Sequence, residues 1–124
     1  MPDKIIRISG PLASGKSRLA RLIAEPGHCE TVTLEHLMLD KFCMGGLMQN
    51  SPETIIIEEC GMTEDENNYL KQLAASESVT CHNRGMLATR TPRPKVIVCV
   101  ASRSTQDMVP GSRWFADIRL ARWG

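Results

Sequence analysis

Apolar residues along this chain fall into short runs with two different periods. Residues 4–9, KIIRIS, form an apolar run stopped by Gly10 and Pro11, which predicts a buried strand. From Lys16 the period changes. Leu19, Leu22 and Ile23 recur at helical spacing while Arg18, Arg21 and Glu25 face elsewhere, so a helix is expected to end before Pro26-Gly27. Thr31–Leu34 reads as a second strand. Residues 35–50 fit neither period: Leu37–Leu39, Cys43 and Met44 precede a Gly45-Gly46 break, and Ser51-Pro52 closes the stretch.

Thr54–Glu59 carries Ile55, Ile56 and Ile57 in succession. β-branched residues on both faces predict a strand in a sheet covered on both sides, as in parallel α/β folds. Thr63 followed by Glu66 has the form of a capping box, with a helix to about Ala75 and an apolar stripe of Tyr69, Leu70 and Leu73. Val79–Cys81 is a short strand, residues 82–94 a basic, Pro-rich loop, and Val96–Val100 a buried strand. After a further loop over 103–112, residues 115–120 alternate: Ala116, Ile118 and Leu120 share one face, Asp117 and Arg119 the other. That predicts a half-buried strand at an edge. Strands alternating with helices predict a three-layer α/β/α domain with a largely parallel sheet.

Composition narrows this picture. The 124 residues suit one domain, 1–124; 42% are hydrophobic and 23% charged, which excludes wholesale disorder. Aromatics are 4%, so Ile, Leu, Val and Met must build the core. No run of about 18 apolar residues exists for a membrane span, so no membrane partner is expected. The five cysteines, an odd number without an export signal, predict reduced thiols and a cytoplasmic protein. His28-Cys29 and Cys81-His82 lack zinc-ligand spacing. The net charge of +1 conceals an asymmetry. Residues 1–81 hold seven Lys/Arg and twelve Asp/Glu, and residues 82–124 hold eight and two, giving an acidic front and a basic back.

The strongest chemical signal is Gly10-Pro11-Leu12-Ala13-Ser14-Gly15-Lys16-Ser17, which fits GxxxxGK[ST] at every fixed position and lies between a strand and a helix. A loop that wraps phosphates with backbone N–H groups needs glycine where the chain comes close, and the helix N-terminus favours an anion. Lys16 is placed for the β and γ phosphates of ATP, and Ser17 for Mg²⁺. Glu58 and Glu59 end an apolar strand at its carboxyl end, where parallel sheets meet ligands. Glu58 is expected to hold Mg²⁺ and Glu59 to activate water.

The order of phosphate loop, acidic strand, helix and third apolar strand resembles the AAA+ ATPases. It is more narrowly similar to the ATPase core of superfamily 3 helicases of viruses and plasmids. The resemblance spans residues 4–120 and implies a P-loop NTPase fold with Mg-ATP hydrolysis. It also implies a polar sensor after Val96–Val100, where that family has asparagine and this chain has Ser102. It implies an arginine finger at Arg113, with Arg103 a weaker rival, that completes a neighbouring copy's site in a homo-oligomer. The basic stretch Arg84, Arg90, Arg93 and Lys95 is then a candidate grip for single-stranded nucleic acid, although no aromatic lies among these residues. By the same resemblance the chain is a core without the helical lid or N-terminal module. Two other functions fit the residues: a small kinase with 82–94 as its lid, and a nucleotide-dependent binding module that docks on another ATPase without turnover of its own.

Overall fold

The computed structural model describes residues 4–11, 15–25, 27–61, 63–102 and 114–120. Four of the apolar runs become strands β1 (Ile5–Ser9), β3 (Thr54–Cys60), β6 (Val96–Ala101) and β7 (Phe115–Arg119). With β2 (Cys29–Thr33) they make a five-stranded parallel sheet in the order β2-β3-β6-β1-β7. Alternation sends Ile55, Ile57, Ile97 and Cys99 to one face, and Ile56, Val98 and Val100 to the other. Helix α1 (Lys16–Ala24) covers the second face through Ala20 and Ala24. Helices α2 (Leu34–Leu39), α3 (Cys43–Met48) and α4 (Glu64–Ala75) cover the first through Leu34, Leu37, Met44, Leu70 and Leu73. The fold is a three-layer α/β/α sandwich.

The expected α4 is present from its first residue. The Thr63 hydroxyl accepts from the Glu66 N–H and the Glu66 carboxylate accepts from Thr63, which closes the capping box. Elsewhere the boundaries move. The second strand stops at Thr33, because the Thr33 hydroxyl accepts from the His36 N–H at 3.3 Å and starts α2 at Leu34. The unassigned stretch 35–50 holds two short helices. Gly45-Gly46 does not break α3. A Cβ on Gly45 would lie 2.6 Å from the His82 carbonyl oxygen, so glycine there lets α3 sit directly on the chain beyond it.

That chain is the largest departure from expectation. Val79 and its neighbours do not join the main sheet, and residues 82–94 are not all loop. β4 (Ser78–Cys81) pairs antiparallel with β5 (Thr89–Pro92) in a separate hairpin. β5 is short and polar, with no apolar face for a periodicity argument to find. The hairpin is pinned to α4 by Arg93, which is buried and donates to the carbonyls of Leu73 (3.2 Å) and Ala74 (3.5 Å). A cation there meets the negative end of the helix dipole. Arg93→Ala is therefore expected to destabilise the fold by about 1.5–3 kcal/mol, the range for hydrogen bonds to a charged group. Urea unfolding at constant m-value checks this.

β7 lies at the sheet edge as expected, with Ile118 and Leu120 against the α1 face. Its other face is not simply polar. Phe115 is buried, and Asp117 accepts from Arg7 of β1 at 2.6 and 2.9 Å. Among the described residues no helix is long and apolar enough to cross a membrane.

Candidate functional site

The phosphate-loop motif joins β1 to α1. Gly10 (φ 156°) and Gly15 (φ 87°) both take positive φ, a region that side-chain-bearing residues avoid. The two fixed glycines are thus required by the backbone path. Gly15 is also the N-cap of α1, and it offers that helix no side-chain cap. The first turn of α1, Lys16-Ser17-Arg18, holds no acid. The contrast with α4 is informative. There, Glu64, Asp65 and Glu66 fill the first turn and the chain satisfies its own N–H groups. α1 reverses the usual preference for acids at a helix N-terminus and carries Lys16 and Arg18 there instead. A helix N-terminus with cations beside it favours an anion. The Lys16 ammonium arches back across the loop and donates to the Gly10 carbonyl at 2.7 Å. Pro11 is half-buried beside it. Leu12, Ala13, Ser14 and the candidate arginines Arg103 and Arg113 lie outside the described residues.

The acidic strand ends irregularly. Ile57 pairs with Cys99 and Cys60 with Ala101, so three steps along β3 match two along β6. One residue is extra, which makes a β-bulge, rare in a parallel pair. Glu59 absorbs it with φ 57°, a left-handed conformation uncommon for any residue but glycine. Its side chain is exposed, and that of Glu58 is half-buried. Ser102, at the end of β6, donates to the Cys60 carbonyl from its N–H (3.0 Å) and its hydroxyl (3.4 Å). Gly61 donates to the Glu66 carboxylate at 3.0 Å, which ties the strand end to α4. Burial pushes the Glu66 carboxyl up, but the bonds from Gly61 and Thr63 outweigh it and hold the group below the usual carboxylate range.

The expected site residues are therefore brought together in part. Glu59 and Ser102 meet through Cys60, between neighbouring strands. Lys16, Ser17, Glu58, Glu59 and Ser102 all lie toward the carboxyl end of the sheet. Among the described residues, Ser17 and Glu58 line different clefts. Ser17 lines a surface cleft of about 390 Å³ along α1 with Arg18, Arg21 and Glu25. Glu58 lines another of about 560 Å³ at the β2 edge with Thr33, His36 and Asn50. Two oxygen donors suit Mg²⁺, which keeps several waters and takes phosphate oxygens besides one or two protein groups.

The basic set also divides. Arg93 is the helix clamp described above and leaves the set. Arg90 lies along β4, donating to the Ser78 hydroxyl (2.7 and 3.0 Å) and the Thr80 hydroxyl (3.0 Å). Arg84 stacks 5.6 Å from the Phe42 ring centroid, so an aromatic does reach this stretch, from the α2–α3 turn. Arg84, Arg90 and Lys95 remain exposed.

Sequence reasoning missed Cys60 and Arg7. Cys60 follows the two acids directly, but nothing in the one-dimensional pattern announces a bulge. Arg7 interrupts an otherwise apolar strand, a signal that was available.

No protein-family model matches the chain, and no curated protein matches it. Solved structures do. Two are A-form apo structures of the NrS-1 C-terminal region. One has a TM-score of 0.66 and 16% identity over 95% of this chain. The other has a TM-score of 0.61 and 15% identity over 94%. This chain spans 29% and 28% of theirs. At that identity the likeness is one of fold.

Proposed function

We propose that this chain binds Mg-ATP and hydrolyses it as a P-loop ATPase of the AAA+, superfamily 3 helicase-like kind. The observation that carries the reading is the geometry at α1: positive φ at Gly10 and Gly15, no side-chain cap from Gly15, and Lys16 donating to the Gly10 carbonyl. The α1 N–H groups and Lys16 hold the phosphate charge. Ser17 and Glu58 would hold Mg²⁺, which would supply positive charge against the phosphates. Glu59 takes a proton from the attacking water, and Ser102 marks the γ-phosphate from the next strand. Arg113, outside the described residues, is taken from the family resemblance as the residue that completes a second copy's site. Exposed Arg84, Arg90 and Lys95 support contact with a phosphate backbone.

Lys16→Ala is the direct test. Loss of charge-assisted hydrogen bonds worth about 1.5–3 kcal/mol should weaken Mg-ATP binding roughly 10- to 100-fold. Titration with a fluorescent nucleotide reads this, and wild-type affinity in the variant would sink the proposal.

Among the described residues Ser17 and Glu58 line different clefts, which supports a second reading, a nucleotide-dependent binding module without useful turnover of its own. Steady hydrolysis by the purified chain alone would count against it. The kinase reading requires 82–94 to move as a lid, and the clamps of Arg90 and Arg93 on β4 and α4 give that motion no support.

A further inference from the structure

The conformation of Glu59 raises a physical question. A non-glycine residue at φ 57° is strained and persists only where its surroundings over-determine it. Two groups of contacts surround this bulge. Behind it, the Cys60 thiol turns back and donates to the Ile57 carbonyl at 3.4 Å, closing the loop that contains Glu58 and Glu59. Ahead of it, the Cys60 carbonyl accepts both donors of Ser102, and Gly61 donates to Glu66. Cys60 is the one residue common to the turn-back bond and the β6 bond. It is fully buried, between β6 and α4. Its neighbour Cys99 is also fully buried, and the hydrogen bond with Cys60, together with burial, holds the Cys99 thiol well above its usual range. Cys99 thus stays a neutral thiol beside Cys60.

We propose that Cys60 is a positioning residue for the acid pair. Its thiol bonds to the Ile57 carbonyl and, with Ser102 gripping its own carbonyl, fixes the left-handed turn at Glu59 and so the direction of the Glu59 carboxylate. The inference rests on the reading of Glu59 as the group that activates water, and it adds a requirement that the reading lacks: a buried sulfur donor behind the acid.

Two substitutions separate bonding from packing. Cys60→Val fills the buried volume and cannot donate. Cys60→Ser keeps a donor but is smaller and more polar. If bonding matters, Val is the harmful change; if packing matters, Ser is. Purified full-length variants are compared in two ways: three-bond backbone couplings at residue 59, which read its φ, and steady-state Mg-ATP turnover. The expected result is that Cys60→Val loses the left-handed φ. Its kcat should fall roughly tenfold to a hundredfold, as for a catalytic group displaced by up to an ångström, with KM unchanged. Cys60→Ser should retain both. An unchanged φ in Cys60→Val, or a larger loss in Ser than in Val, overturns the proposal. Should Cys60→Val not fold, Cys60→Ala carries the same comparison. Glu59→Gln is run alongside. If it turns over as the wild type does while Cys60→Val shifts φ, the bulge clamp stands and the assignment of Glu59 falls.

Discussion

Glu59→Gln is expected to bind Mg-ATP as tightly as the wild type and to hydrolyse it about 10²–10⁴-fold more slowly. The amide has the carboxylate's shape, so the left-handed bulge at residue 59 and its two flanking clamps are preserved. What the amide lacks is a lone pair basic enough to take a proton from water. Glu59 is exposed, so stability should change by no more than about 0.5 kcal/mol. Glu58→Gln should behave differently. Glu58 is half-buried and one residue earlier on β3, where it is assigned to Mg²⁺. Its loss should raise the Mg²⁺ concentration needed for half-maximal turnover. Phosphate release measured against Mg²⁺, with nucleotide affinity measured separately, distinguishes the two acids. Unchanged hydrolysis in Glu59→Gln would remove the base from the mechanism.

What could be read in advance depended on whether information was local. The capping box at Thr63 and Glu66 is a four-residue signal made within its own segment, and α4 starts where it says. The three isoleucines of β3 report burial on both faces because a strand's side chains alternate whatever lies around them. The glycines of the phosphate loop are required by φ alone. The hairpin of β4 and β5 was hidden because β5, Thr89–Pro92, is held by partners elsewhere in the chain and has no apolar face. Arg93 looked like solvent-facing charge because its acceptors are carbonyls twenty residues away on α4. The bulge at Glu59 was invisible for the same kind of reason. It is a mismatch in register between β3 and β6, and register exists only once two strands pair.

The second large effect is expected at the sheet edge. Asp117→Ala should destabilise the fold by about 3–5 kcal/mol, because it leaves the buried Arg7 cation without its carboxylate. Arg7 is 2% exposed in the middle of β1, and its guanidinium meets Asp117 in a two-point grip at 2.6 and 2.9 Å. The Phe115 ring lies 4.0 Å from the guanidinium carbon and cannot replace the anion, since a cation–π contact returns about 0.5–2 kcal/mol. A loss of this size is a large share of the roughly 5–15 kcal/mol that domains have. It falls on β7, an edge strand anchored besides by buried Phe115 at its start, with Ile118 and Leu120 only partly buried and Ala116 and Arg119 exposed. The double variant Arg7→Met with Asp117→Ala should recover most of the loss. Removing both charges cancels the desolvation penalty, and methionine refills the volume. Strong non-additivity in a urea-unfolding cycle is therefore the expected signature. Simple additivity would mean that Arg7 packs on the sheet without depending on Asp117. Because β1 runs on into the phosphate loop, the same cycle read by nucleotide affinity tests whether this edge pair also steadies the anion receptor. The single variant should lose affinity only under conditions where it begins to unfold, and the double variant should keep it.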